Sequence, residues 1–108
     1  MSFSVSGALL EACMLGVLSV NPTYGYDLTQ RMRLILSVSE STLYPVLRRL
    51  LGEALLDAYD APFDGRNRRY YEITEQGRAA LRRYQDEWQY YKEHLENMIM
   101  GGQSREQE

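Results

Sequence analysis

From Ser6 to Val20 the chain places Leu9, Ala12, Cys13, Gly16, Val17 and Val20 at helical spacing, which predicts a first amphipathic helix ended by Asn21 and Pro22. Thr23 is a suitable cap for a second helix, whose apolar stripe is Tyr24, Leu28, Met32 and Ile35. Ser37 to Ser41 is a polar break. A third helix follows with Leu43, Leu47, Leu50 and Ala54 on one side, leaving Thr42, Tyr44, Pro45, Arg48 and Arg49 on or near the other. Pro45 belongs near the start of that helix, because a residue without an N–H is best tolerated in the first turn.

The pattern then changes period. Leu55 to Ala61 and Arg68 to Thr74 are short, rich in aromatic and branched residues, and flank the run Pro62-Phe63-Asp64-Gly65-Arg66-Asn67. Two such strands around a glycine-containing loop predict a β-hairpin. Thr74 can cap a long last helix from Glu75 to Met100, which Gly101 and Gly102 would stop. At 1.5 Å per residue such a helix is roughly 39 Å long, more than a domain of this size needs for its own core. Its apolar positions Leu81, Tyr84, Trp88, Tyr91, Leu95 and Met98 recur at alternating intervals of three and four, the heptad pattern of a seam that asks for a partner helix. The tail over 101–108 is polar and is expected to be disordered.

A length of 108 residues and a 44% hydrophobic share fit one small globular domain with an extension. A single Cys and a single His exclude an internal disulfide and a conventional Cys/His zinc site, so no metal or other cofactor is expected. The longest apolar stretch, residues 7–20, is interrupted by Glu11 and falls short of the roughly 20 residues that span a bilayer, so a soluble, cytoplasmic protein is expected. The net charge of -3 speaks against a nucleic-acid partner until its distribution is considered. Basic charge gathers at Arg48 with Arg49 and at Arg66 with Arg68 and Arg69, and all but one of the twelve bases are arginine, the side chain suited to bidentate contact with phosphate or guanine.

Three short helices followed by a hairpin is the order of a winged helix-turn-helix, in which the third helix enters the major groove and the hairpin, or wing, touches the flanking backbone. The expected fold is therefore mainly α with a β-hairpin: a winged helix-turn-helix over 1–74 and a long C-terminal dimerisation helix over 75–100. Thr42, Tyr44 and Arg48 on the outward face of the third helix, and Arg66, Asn67, Arg68 and Arg69 in the hairpin, supply hydroxyls and guanidinia for phosphates and base edges. The Tyr44 ring or Pro45 can sit against a thymine methyl. Against this stands the simpler possibility that Arg48 and Arg49 are solvated helix positions and that the wing arginines pair with Asp60 and Asp64.

Three segments carry a resemblance. Tyr24-Gly25-Tyr26-Asp27-Leu28, then Ser41-Thr42-Leu43-Tyr44-Pro45-Val46-Leu47-Arg48-Arg49-Leu50, then Gly65-Arg66-Asn67-Arg68-Arg69-Tyr70-Tyr71-Glu72-Ile73-Thr74-Glu75-Gln76-Gly77 resemble, in order, the motifs of the PadR family of bacterial transcriptional regulators. The single terminal helix is similar to the short subgroup of that family. One reading head and one unpaired seam in the chain predict a homodimer on a pseudo-palindromic double-stranded operator. The resemblance implies a winged helix dimerised through its last helix and acting mostly as a repressor. It also implies that Tyr24 and Tyr26 open the supporting helix beside the DNA backbone. On the same footing, Ser41, Thr42, Tyr44 and Arg48 lie on the recognition helix, where Pro45 joins them as a candidate DNA contact by its own chemistry, and Arg66, Arg68 and Arg69 lie on the wing.

Trp88, the only tryptophan, sits mid-seam between Tyr84 and Tyr91. These three rings either fill the core of a homodimer, together with Leu81, Leu95 and Met98, or, as the resemblance to some short members of the family implies, line a slot between subunits for a planar hydrophobic effector, a role that aromatic walls suit because they stack on flat ligands without specific polar partners. Cys13 reads as a small buried hydrophobe, because nothing basic adjoins it in sequence. His94 reads as a surface residue. No phosphate-binding glycine loop, no His beside a nucleophile and no paired carboxylates on an evident cleft are present, so no enzyme is expected. The alternative to a DNA-binding regulator is a winged-helix adaptor that binds protein through the same surfaces, which the net acidity favours and the arginine-rich wing disfavours.

Overall fold

Ser6 opens the first helix by accepting the Leu9 N–H at 3.2 Å, and Asn21 ends it in extended backbone, giving α1 (Gly7–Val20). A computed structural model, which describes residues 3–101, continues with β1 (Thr23–Tyr24), α2 (Gly25–Leu36), α3 (Glu40–Gly52), β2 (Leu56–Phe63), β3 (Arg66–Ile73) and α4 (Glu75–Met100). The strands form one antiparallel sheet in the order β1-β3-β2. The three helices and the hairpin thus follow the predicted order, and the mainly helical winged architecture with its long terminal helix is borne out. The tail expected to be disordered lies, beyond Gly101, outside the described residues.

One core holds these elements together. Leu10, Met14, Leu15 and Leu18 of α1 meet Leu28 and Met32 of α2, Leu43, Val46, Leu47 and Leu50 of α3, Leu56 of β2, Tyr71 of β3, and Ala80 and Leu81 of α4. Burying such side chains is the main favourable term in folding, at about 1.5–3 kcal/mol for each large one. The buried stripe of α1 is not the predicted one: Cys13 and Val17 are half-buried and Val20 is 79% exposed. This helix is apolar nearly all round, so periodicity does not choose its buried face, and packing against α3 and α4 does.

Four local expectations are corrected by the structure. Thr23 does not cap α2 but pairs with Tyr71, while Tyr24 pairs with Tyr70, so the helix starts after Tyr24 and has no side-chain cap. Gly25 makes this possible, because a Cβ there would stand 2.9 Å from the Tyr71 ring. In α2 it is Thr29 that is buried, its hydroxyl donating to the Tyr26 carbonyl at 3.1 Å, while Ile35 is 73% exposed. Ala54 lies beyond α3 with φ 62, where its N–H bonds the Leu51 carbonyl. The hairpin loop is two residues, not six: Asp64 and Gly65, both with positive φ, form the tight turn that suits the twist of antiparallel strands.

Thr74 caps α4 as expected. Its Oγ accepts the Gly77 N–H at 2.9 Å and donates to the Ala54 carbonyl at 2.7 Å, tying the helix start to the end of the α3–β2 connection. Gly101 takes the left-handed conformation at the other end. Only the first turns of α4 rest on the core; from Gln85 to Met100 every residue is exposed, and the molecule extends 63 Å along its longest axis.

Candidate nucleic-acid interface

The buried stripe of α3 fixes what its other side presents. With Leu43, Val46, Leu47 and Leu50 inward, Ser41, Thr42, Tyr44, Pro45 and Arg48 are all exposed on the outer face. Pro45 lies in the second turn, and because it cannot donate, the Ser41 carbonyl one turn back has no helical N–H to accept. Ser39, a residue the pattern did not single out, gathers the helix start: its Oγ lies 2.9 Å from that of Ser41 and 3.1 Å from Oγ1 of Thr42. The acid in this first turn, Glu40, is drawn back to α2, accepting from Gln30 at 3.2 Å with Arg33 at 3.9 Å. The outer face of α3 is therefore hydroxyl-rich, carries Arg48, and has the carboxylate of its first turn engaged with α2.

The three wing arginines do not act alike, because alternate residues of a strand point to opposite faces. Arg66 is exposed beside the turn. Arg68, on the same face, is half-buried: it donates to the Tyr24 hydroxyl at 2.7 Å and to the Phe63 carbonyl at 3.4 Å, with its guanidinium carbon 4.8 Å from the centre of the Tyr24 ring and 5.5 Å from that of Phe63. Arg69 points to the other face, 3.8 Å from the carboxylate of its cross-strand neighbour Asp60. The simple pairing weighed for the wing arginines thus describes Arg69 with Asp60, an exposed pair worth little in water.

Strand β1 brings Tyr24 into a row with Tyr70 and Tyr59 across the sheet. The Tyr59 and Tyr70 rings stack at 5.6 Å, Tyr24 follows at 5.9 Å, and Tyr26, exposed in the first turn of α2, lies 6.1 Å beyond. Tyr24, Tyr26, Arg31, Leu34, Phe63 and Tyr70 line an open groove of about 490 Å³ between α2 and the wing. Tyr70 and Phe63 were not candidates, since their proximity to Tyr24 depends on a strand two residues long that carries no periodic signal.

On α4 the predicted seam divides. Leu81 is buried in the chain's own core, and the Tyr84 hydroxyl donates to Glu11 of α1 at 2.6 Å. Burial and that bond push the Tyr84 phenol up to about 12. Trp88, Tyr91, Leu95 and Met98 remain exposed and continue the stripe outward. His94 is on the surface, packed on Tyr90 with ring centres 4.0 Å apart. Cys13 is half-buried and burial raises its thiol pKa, as expected of a packing residue. Arg49 is bound through both Nε and Nη2 to Glu11, which raises its pKa further and withdraws it from the outer face. Among the described residues no group of His, Cys, Asp or Glu is placed to hold a metal ion, and no helix is long and apolar enough to cross a membrane.

Comparison with known proteins gives this geometry its setting. The model of the transcriptional regulator PadR-like family matches residues 14–83, from the middle of α1 into α4. A Mycobacterium tuberculosis protein, transcriptional regulator Rv3488, is 42% identical over 85 residues, covering 78% of this chain and 76% of its own. The crystal structure of smu.1704 from Streptococcus mutans superposes with a TM-score of 0.86 at 38% identity, covering 94% of this chain and 95% of that one. The PadR-like transcriptional regulator BC4206 from Bacillus cereus superposes with a TM-score of 0.79 at 30% identity, covering 87% and 94%. With the family model matching well over half of its length and the fold shared almost end to end, this chain belongs to the PadR-like family of transcriptional regulators.

Proposed function

We propose that this regulator acts as a homodimeric repressor that reads a pseudo-palindromic duplex and is released by a planar hydrophobic effector. The observation that carries the reading is the pairing of two unused surfaces in one chain: the exposed outer face of α3, and the exposed Trp88, Tyr91, Leu95 and Met98 of α4. An apolar stripe of this length in water favours burial against a second copy, and two copies present two reading helices related by a two-fold axis. In this assignment Ser41, Thr42, Tyr44, Pro45 and Arg48 face base edges, while Tyr26, Arg66 and Arg68 face phosphates, Tyr24 holds Arg68 in place beside them, and Arg69 adds its charge from the opposite face of the wing. Residues 1–74 form the reading unit and 75–100 the dimerisation helix, whose first turns also complete the core.

Half-sites would then be separated by about one helical turn, roughly 10 base pairs, or a small multiple of it. The aromatic character of the exposed stripe is what supports an effector there, because Leu and Ile pack such seams more commonly than Trp and Tyr. A gel shift with the DNA immediately upstream of the coding region, alongside sedimentation with and without that duplex, tests the reading. A dimer that shifts the duplex is expected. A stable monomer at micromolar concentration in both conditions, or no shift with any DNA, overturns it and leaves the protein-binding adaptor.

A further inference from the structure

Glu11 is the carboxylate that the outer surfaces do not use. It sits in the second turn of α1, its side chain 13% exposed, and its two oxygens go to two different helices: Oε2 accepts from Arg49 of α3, at 2.7 Å from Nε and from Nη2 as well, and Oε1 accepts the Tyr84 hydroxyl of α4 at 2.6 Å. Apart from this knot and a long bond from Arg78 of α4 to the Ser19 carbonyl at 3.4 Å, which lies on the outside of the helix pair, what joins α1 to α3 and α4 is apolar packing in the shared core, where Leu15, Leu18, Leu47 and Leu81 lie. Hydrophobic contact is non-directional, so it permits small sliding and rotation of one helix on another. A charge-assisted pair with a guanidinium fork and a short phenol bond fixes one geometry.

The two arms end next to the two surfaces of the proposed function. Arg49 is followed back along α3 by Arg48, which lies on the outer face. Tyr84 is one turn before Trp88, and residues four apart lie on the same side of a helix. We propose that Glu11 is a positioning residue that links the dimer helix to the recognition helix, so that a change in the packing around Trp88 resets the angle at which Tyr44 and Arg48 meet DNA, and DNA binding in turn alters the surroundings of Trp88. The inference rests on the DNA reading above and adds to it the route of communication. Linkage requires that it run both ways, since a coupling free energy between two sites is shared by both.

Trp88 is the sole tryptophan, so its emission reports the far end of this link without a label. The test uses the full-length chain and a fluorescein-labelled duplex that the protein itself selects from a random pool. Anisotropy of the label reads DNA binding, and Trp88 emission reads the dimer helix in the same titration. In the native protein, saturation with the duplex is expected to change the emission. Tyr84→Phe and Arg49→Met each cut one arm while leaving the apolar packing in place; each is expected to lose about five-fold or more in affinity for the selected duplex. Each is also expected to lose most of the emission change at saturation. Because both cut the same link, the double variant is expected to match the worse single variant and not to add.

A merely structural knot would lower stability and leave the emission response intact in whatever folded protein still binds. An undiminished response in both single variants, additive losses in the double variant, or a native protein that binds with no emission change overturns the proposal while leaving the DNA reading standing. Failure to select any duplex removes both.

Discussion

The guanidinium of Arg68 in the wing is held by the hydroxyl of Tyr24, 44 positions earlier in the chain, at 2.7 Å. This bond joins the wing to the residue before α2, and the cation lies against the Tyr24 and Phe63 rings, an arrangement worth roughly 0.5–2 kcal/mol depending on how far water is excluded. A residue of the motif that reads as a phosphate contact is thereby a structural member of the wing.

A difference between two wing arginines follows. Arg66→Ala is expected to weaken binding to operator and random DNA alike and to flatten the salt dependence, because a phosphate contact releases counterions and carries little sequence information. Arg68→Ala is expected to do the same and, in addition, to loosen the wing, seen as faster amide hydrogen exchange in β2 and β3. Tyr24→Phe should share the faster exchange without changing the net charge. Equal exchange in native protein and all three variants would show that the Arg68–Tyr24 bond does not hold the wing.

On α3 the expected loss is selective. Tyr44→Ala and Arg48→Ala should weaken operator binding by about 1–3 kcal/mol where a bidentate or methyl contact to a base is lost, with a smaller effect on random duplex. Titrations of both DNAs at several salt concentrations measure this. Equal losses on the two would place base reading elsewhere.

For an effector, planar aromatic dyes titrated against the dimer are expected to perturb Trp88 emission and to lower operator affinity, with couplings in the usual range of about 5- to 150-fold. The comparison is Trp88→Ala, once sedimentation has established that this variant is still a dimer. Unchanged dye binding by that variant would make Trp88 packing alone.

Two glycines in helices should respond oppositely to alanine. A Cβ at Gly77 would stand 2.2 Å from the Leu55 carbonyl oxygen and 2.7 Å from Cγ1 of Ile73, and the backbone atom cannot rotate away. Gly77→Ala should therefore cost at least the 1–3 kcal/mol typical of overpacking. Gly16 lies inside α1 with nothing within 4 Å of its would-be Cβ, so Gly16→Ala should stabilise by about 0.5–1 kcal/mol. Urea unfolding midpoints at constant m-value decide both.

Alkaline stability should carry the signature of Tyr84. Its pKa is raised from 10.0 to about 12 by burial and by the bond to Glu11, so the folded state holds this proton more tightly than the unfolded chain. The stabilisation is then fully present below the unfolded value and is lost as pH rises from 10.0 through about 12. Tyr84→Phe has no such proton, and its stability should fall less over that window. Parallel curves for native and variant protein across it would show that the phenol is not held in this way.

The sequence by itself determined the features whose causes are local. Thr74 capping α4, Gly101 ending it, the buried Leu43, Leu47 and Leu50 of α3 and the change of period at the hairpin are each decided within one or two turns or a few strand residues, and all are legible in order. The three motifs likewise located the family. Only the tertiary structure decided which face of α1 is buried, that Thr23 and Tyr24 form a strand, and that the α4 stripe divides at Tyr84 into a part used by the core and a part left open. It also decided the fate of individual charges. Arg49 is bound to Glu11 across 38 positions, Tyr84 to Glu11 across 73 and Arg68 to Tyr24 across 44. Spacing along a helix or strand tells which side a residue takes. Which partner it meets there depends on how separate elements dock, and a free-standing arginine and a committed one look the same in sequence.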